Sequence, residues 1–129
     1  MTGRSANALL EKCGLFYDTD GLMSWLGLPY REIQERREAR AILGCPTAEG
    51  DFIYPVWQFQ DNGELLPGLS SILTVLSSGI DDSWTWALWL QTAVPGELNG
   101  RTVTEWLRDG GDVGPVLQLA ANDAAGWAT

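Results

Sequence analysis

The chain has 129 residues, 45% hydrophobic and 19% charged, which excludes intrinsic disorder and allows one compact domain or two very small ones sharing a core. Seventeen acidic residues against eight basic ones give a net charge of −9, so any contact with nucleic acid must come from a local basic cluster. Histidine is absent, which removes the usual general base, the usual zinc ligand and any Ser-His triad.

These numbers describe a binder rather than an enzyme, with no catalytic residues, no metal and no cofactor expected. No apolar run approaches the length that spans a bilayer, and the N-terminus has no signal-peptide core. The two cysteines, Cys13 and Cys45, then read as reduced thiols in a cytoplasmic protein. Seven tryptophans are too many to bury completely, so some are expected at a subunit or partner interface. Charge is unevenly spread: residues 1–59 carry six basic and eight acidic groups, residues 60–129 two basic and nine acidic.

Along the chain, Ser5 to Lys12 reads as a short helix ending near Gly14. Asp18, Thr19 or Asp20 can cap the next one, because their short side chains accept the free amide protons of a first turn. Leu22, Trp25 and Leu26 follow at helical spacing, and Gly27 is placed to terminate it. Pro29 suits the start of a second helix that runs to about Arg40. Two short helices around a Gly-containing turn outline a helix-turn-helix.

The second helix is almost entirely polar, with Tyr30 and Ile33 as its apolar anchors. Arg36, Arg37 and Arg40 fall within one arc of about 100°, with Arg31 and Gln34 nearer the helix start. These five residues are the candidate DNA contacts. The same helix carries Glu32, Glu35 and Glu38, so a solvated face with a Glu32–Arg36 ion pair is the competing reading.

Ile42–Leu43 and Phe52–Phe59 read as two strands joined by a loop, with Pro55 confining the second to a sheet edge. This hairpin is either a wing or a strip that packs the first half onto the second. Asp61-Asn62-Gly63 is a turn. Leu69, Ile72, Leu73 and Leu76 then mark an amphipathic helix ending at Gly79, and Asp81, Asp82 or Ser83 caps another that contains Trp84, Trp86, Leu88, Trp89 and Leu90. That helix is apolar on several sides and is expected at the centre of a bundle, ended by Val94-Pro95-Gly96.

Thr102 and Glu105 have the spacing of a capping box, opening a short helix with Trp106 and Leu107 that Gly110-Gly111 closes. A last helix starts at Asp112 with Val113, Val116, Leu117 and Ala120 on one side, and Pro115 is tolerated in its first turn. The tail from Asn122 is small and polar except for Trp127, which either docks into a partner or staples the terminus onto its own domain. The expected fold is mainly α: a helix-turn-helix region with a short β-hairpin over residues 1–62, then a helical bundle domain over 63–129.

The segment around Trp89, Leu90, Leu98, Gly100, Arg101, Thr102, Leu107, Gly110, Val113, Val116 and Leu117 resembles the C-terminal domain of the ParS/MbcA/Xre-type antitoxins. The resemblance covers about 45 residues well. Val103 stands where that family usually has proline, and the loop before Gly100 differs from the usual one. It implies a non-enzymatic antitoxin, commonly a homodimer, whose C-terminal domain neutralises a RES-domain toxin that degrades NAD. Its N-terminal helix-turn-helix would bind the operon's own promoter. By that resemblance Leu117 to Thr129, including Trp127, is the candidate toxin-binding segment, while Gly100, Arg101 and Thr102 form a structural turn. Arg101 is expected on the C-terminal carbonyls of the preceding helix, and Gly100 at positive φ. A DNA-binding regulator without a toxin and a plain dimerisation module are the alternatives.

Overall fold

The computed structural model describes residues 15–128; the expected first helix, Cys13 and Thr129 lie outside the described residues. The fold is mainly helical, with short strands and two helices in the first half and a helical bundle in the second. Strand β1 (Phe16–Asp18) leads into α1 (Thr19–Leu26) and α2 (Tyr30–Glu38). A hairpin follows, made of β2 (Cys45–Pro46) and β3 (Phe52–Pro55), and then a 3-10 turn, Val56–Gln58. The three strands form an antiparallel sheet in the order β1-β3-β2, with Tyr17 opposite Tyr54 and Cys45 opposite Ile53.

Two expectations for this region need correction. Ile42 and Leu43 do not form a strand: both are buried, and the side chain of Gln58 takes up the backbone of Leu43. The second strand stops at Pro55 instead of reaching Phe59, and it is the central strand, not an edge. Proline is accommodated because it is the last residue of the strand, opposite Phe16, where the chain turns into the 3-10 segment.

The second half contains α3 (Leu69–Ser77), α4 (Ser83–Leu90), a two-residue ribbon of β4 (Ala93–Val94) and β5 (Arg101–Thr102), α5 (Val103–Arg108) and α6 (Val113–Trp127). The stripe Leu69, Ile72, Leu73 and Leu76 is buried, as its spacing predicts. Helix α4 buries Trp86, Ala87 and Leu90 and leaves Trp84, Leu88 and Trp89 half-buried. It ends at Leu90, before the expected Val94-Pro95-Gly96 stop, because Ala93 and Val94 pair with β5. The capping box at Thr102 and Glu105 is complete in both directions.

The segment expected as a polar tail is helical instead, and α6 continues to Trp127. Its inner face of Val116, Ala120 and Ala124 is buried, and α3 is its main partner. The two helices approach so closely that a Cβ at Gly79 would overlap the carbonyl oxygen of Ala124.

Two apolar clusters result. The smaller contains Leu22, Ile33, Ile42, Tyr54 and Phe59, and the larger is built on α3, α4, α5 and α6. They are not insulated from one another: Leu43, Cys45 and Trp57 from the first half belong to the larger cluster, and Leu65 packs against both. Polar contacts reinforce this junction. The Trp84 indole donates to the Pro46 carbonyl (2.9 Å), and Arg108 on α5 donates to the carbonyls of Trp57 (2.6 Å) and Phe59 (3.3 Å).

Candidate nucleic-acid interface

The strand–helix–turn–helix–hairpin order of the first half is that of a winged helix, and local chemistry sets its angles. Asp18 caps α1 by accepting from the Gly21 amide at 2.7 Å. Gly27 ends α1 in the left-handed region at φ 68°, with its N–H on the Met23 carbonyl. Leu28 and Pro29 then redirect the chain, and Pro29 precedes the first residue of α2. Ile33 is the one fully buried side chain of α2. It fixes the outward face as the opposite arc: Arg31, Glu35 and Glu38 are exposed, and Gln34 is partly so.

The five predicted contacts are therefore not equivalent. Arg31 lies on the outward face near the N-terminus of α2, and its side chain has no hydrogen bond or ion pair among the described residues. Gln34 shares that face and donates to Glu38 at 3.3 Å. Arg36 pairs with Glu32 through Nε at 3.0 Å, the (i, i+4) pair foreseen from spacing, with both side chains 41% exposed. Such a pair contributes only a few tenths of a kcal/mol.

Arg37 points towards the hairpin. Its guanidinium lies 3.7 Å from the centre of the Phe52 ring and donates to the Tyr54 hydroxyl at 2.9 Å. Tyr54 is fully buried, so this contact attaches α2 to the central strand. Arg40 lies beyond the helix end at φ 58°, a left-handed conformation that costs a residue with a Cβ on the order of 1 kcal/mol. Its side chain also has no hydrogen bond or ion pair among the described residues. The arc expected to hold Arg36, Arg37 and Arg40 is thus divided: one arginine on the flank, one turned inward, one outside the helix.

The wing loop, residues 47–51, is closed by the Thr47 amide on the Asp51 carbonyl (2.8 Å) and the Asp51 amide on the Thr47 hydroxyl (3.2 Å). Between it and the starts of α1 and α2 runs an open groove of about 380 Å³. Asp18, Asp20, Glu49 and Asp51 line it beside Tyr30, which is 52% exposed, and Phe52, with no basic residue among its lining. The sequence reading missed these wing carboxylates. Glu35 and Glu38 are exposed, as the solvated-face reading of this helix expected.

A second aromatic group braces α1 from outside. Trp25, 41% exposed, stacks on Tyr17 at 5.2 Å and meets Phe59 edge-on at 5.3 Å.

In the second half, Leu117 and Trp127 are half-buried and pack against the larger core cluster, while Thr129 is outside the described residues. Gly100 has φ 82° as expected. Arg101 does not meet the carbonyls of the preceding helix; it pairs with Asp109, the C-cap of α5. Thr102 is the N-cap of α5. Among the described residues, no group of three or more His, Cys, Asp or Glu is placed to hold a metal ion. None of their helices is long and apolar enough to cross a membrane.

No protein-family model matches the chain, and no curated protein matches it. Among solved structures, the NMR structure of Rv2175c matches with a TM-score of 0.71 over 85% of this chain and 81% of that one, at 20% sequence identity. At that identity the likeness extends to the fold alone, and it takes in most of both chains.

Proposed function

We propose that this protein is a non-enzymatic DNA-binding regulator of the antitoxin type. Residues 1–62 contact operator DNA, and residues 63–129 hold a protein partner. The observation that carries the DNA part is the winged helix itself, in which α2 turns Arg31 and Gln34 outward. The N-terminal part of such a helix enters the major groove, where glutamine recognises adenine and an arginine at the helix start reaches the flanking phosphates. An acidic chain with so few free arginines binds one half-site weakly, so a homodimer on two half-sites is part of the proposal.

The partner proposed for the second half is a RES-domain toxin, on the strength of the residues from Trp89 to Leu117 that resemble ParS/MbcA/Xre-type antitoxins. With α6 helical to Trp127 and packed on its own core, the toxin would meet the outer face of a formed helix rather than a loose tail. That packing equally suits the second reading, a DNA-binding regulator with no toxin partner.

Two experiments test these parts separately. Full-length protein is used to select duplexes from a randomised 30-bp pool. Enrichment of a two-fold symmetric site, with half-sites about 10 bp apart, is expected; an unenriched pool overturns DNA binding. Affinity purification from the native host should bring down a stoichiometric RES-domain protein. Recovery of the protein alone, or with DNA only, replaces the antitoxin reading by the regulator reading.

A further inference from the structure

We propose that the α2 region grips the duplex with two of four clustered arginines, Arg31 in the first turn and Arg40 just past the last residue of the helix, while the wing stays off the DNA. The inference rests on the DNA-binding reading and specifies how that face would be used. Arg36 and Arg37 are already engaged, by Glu32 and by Tyr54 with Phe52. Only Arg31 and Arg40 of the four keep guanidiniums without a hydrogen bond or ion pair among the described residues.

Arg31 sits in the first turn of α2 and Arg40 two positions past its last residue, Glu38, so the two flank the helix. With the helix seated in a major groove about 12 Å wide, an arginine in its first turn and another just past its end bring cations to the flanking phosphates, and Gln34 and Glu35 lie between them in sequence. Arg40 occupies a left-handed position where glycine would sit without strain, and a positive charge is what glycine lacks.

The wing has the opposite character. Glu49 and Asp51 at its loop, with Asp18 and Asp20 across the groove, would face phosphates with carboxylates and no compensating base. Docking through α2 alone avoids that repulsion.

The test measures the salt dependence of binding to the tightest duplex from the randomised 30-bp pool, by fluorescence anisotropy with the full chain. Arg31→Gln and Arg40→Gln should each reduce the slope of log K against log salt by about 0.9 per bound chain. Arg36→Gln should leave it unchanged, and Arg40→Lys should restore it. Neutralising the wing with Glu49→Gln and Asp51→Asn should raise affinity by less than about threefold at 0.15 M salt, where the Debye length is about 8 Å. Thermal melts check that each variant is folded. Unchanged slopes for the two end variants, or a larger gain from the wing variant, overturn this grip while leaving DNA binding intact. A pool with no enriched duplex removes both.

Discussion

The two halves of this molecule solve the same problem, holding short helices in place, in different ways. In the winged helix, α2 has a single fully buried residue, Ile33, and an arginine, Arg37, bonded to the buried Tyr54. In the bundle, α4 is apolar on nearly every side and is enclosed by neighbours from both halves. A helix held by one apolar anchor and one polar clasp keeps its remaining face for charged side chains. A helix held all round has little face left to offer, and its half-exposed indoles are tied by hydrogen bonds, Trp84 to Pro46 and Trp89 to Asp123 at 2.6 Å. Thin anchoring is thus what leaves α2 available for recognition, and dense anchoring makes the bundle a rigid base.

The largest expected effect separates the two modes of anchoring. Leu90→Ala, in the fully buried bundle core, should cost about 4 kcal/mol and lower the whole unfolding transition in denaturant. Ile33→Ala should cost about 3 kcal/mol. It should act mainly on α2, whose amides should exchange much faster while those of α3 stay protected; equal acceleration in both helices would break the contrast.

Next comes the junction. Gln58 is completely buried and closes three hydrogen bonds, with the Leu43 amide (2.7 Å), the Leu43 carbonyl (2.8 Å) and the Pro55 carbonyl (3.2 Å). Gln58→Leu leaves those backbone groups unpaired and should destabilise by about 3 kcal/mol, read as a lower denaturation midpoint.

Smaller effects compare polar contacts of different burial. Arg37→Met should cost about 1.5 kcal/mol, since it removes a partly buried hydrogen bond and the contact with Phe52. Thr102→Ala should cost about 1 kcal/mol through loss of the capping box, with the change in melting temperature as readout. Arg36→Ala should stay within about 0.5 kcal/mol, because its ion pair is solvated. A loss for Arg36→Ala as large as that for Arg37→Met would show that α2 is held by its surface charges and not by the clasp.

What the sequence by itself determined is local. The caps at Asp112 and Thr102, the three-residue windows that contain the caps Asp18 and Asp82, the stop at Gly27, and the buried stripe of α3 depend on bonds and periodicities within a few residues. Those features were legible, and so was the mainly helical class, with short strands in the first half and a helical bundle in the second. Tertiary structure decided which way α2 faces, since its arginines occur all around it and only the seating of Ile33 and the Arg37–Tyr54 bond, across 17 positions, selects the outward arc. It also decided the middle strand: Phe52–Pro55 becomes central only because β1, more than thirty residues earlier, pairs with it. It made a helix of the apparent tail, because Ala124 and Trp127 find α3 and the larger core. The Arg-rich cluster was visible as composition, but which guanidiniums remain free depends on acceptors and aromatic rings contributed from elsewhere in the chain. Spacing rules describe the faces of one helix; they cannot say which face a distant strand will cover.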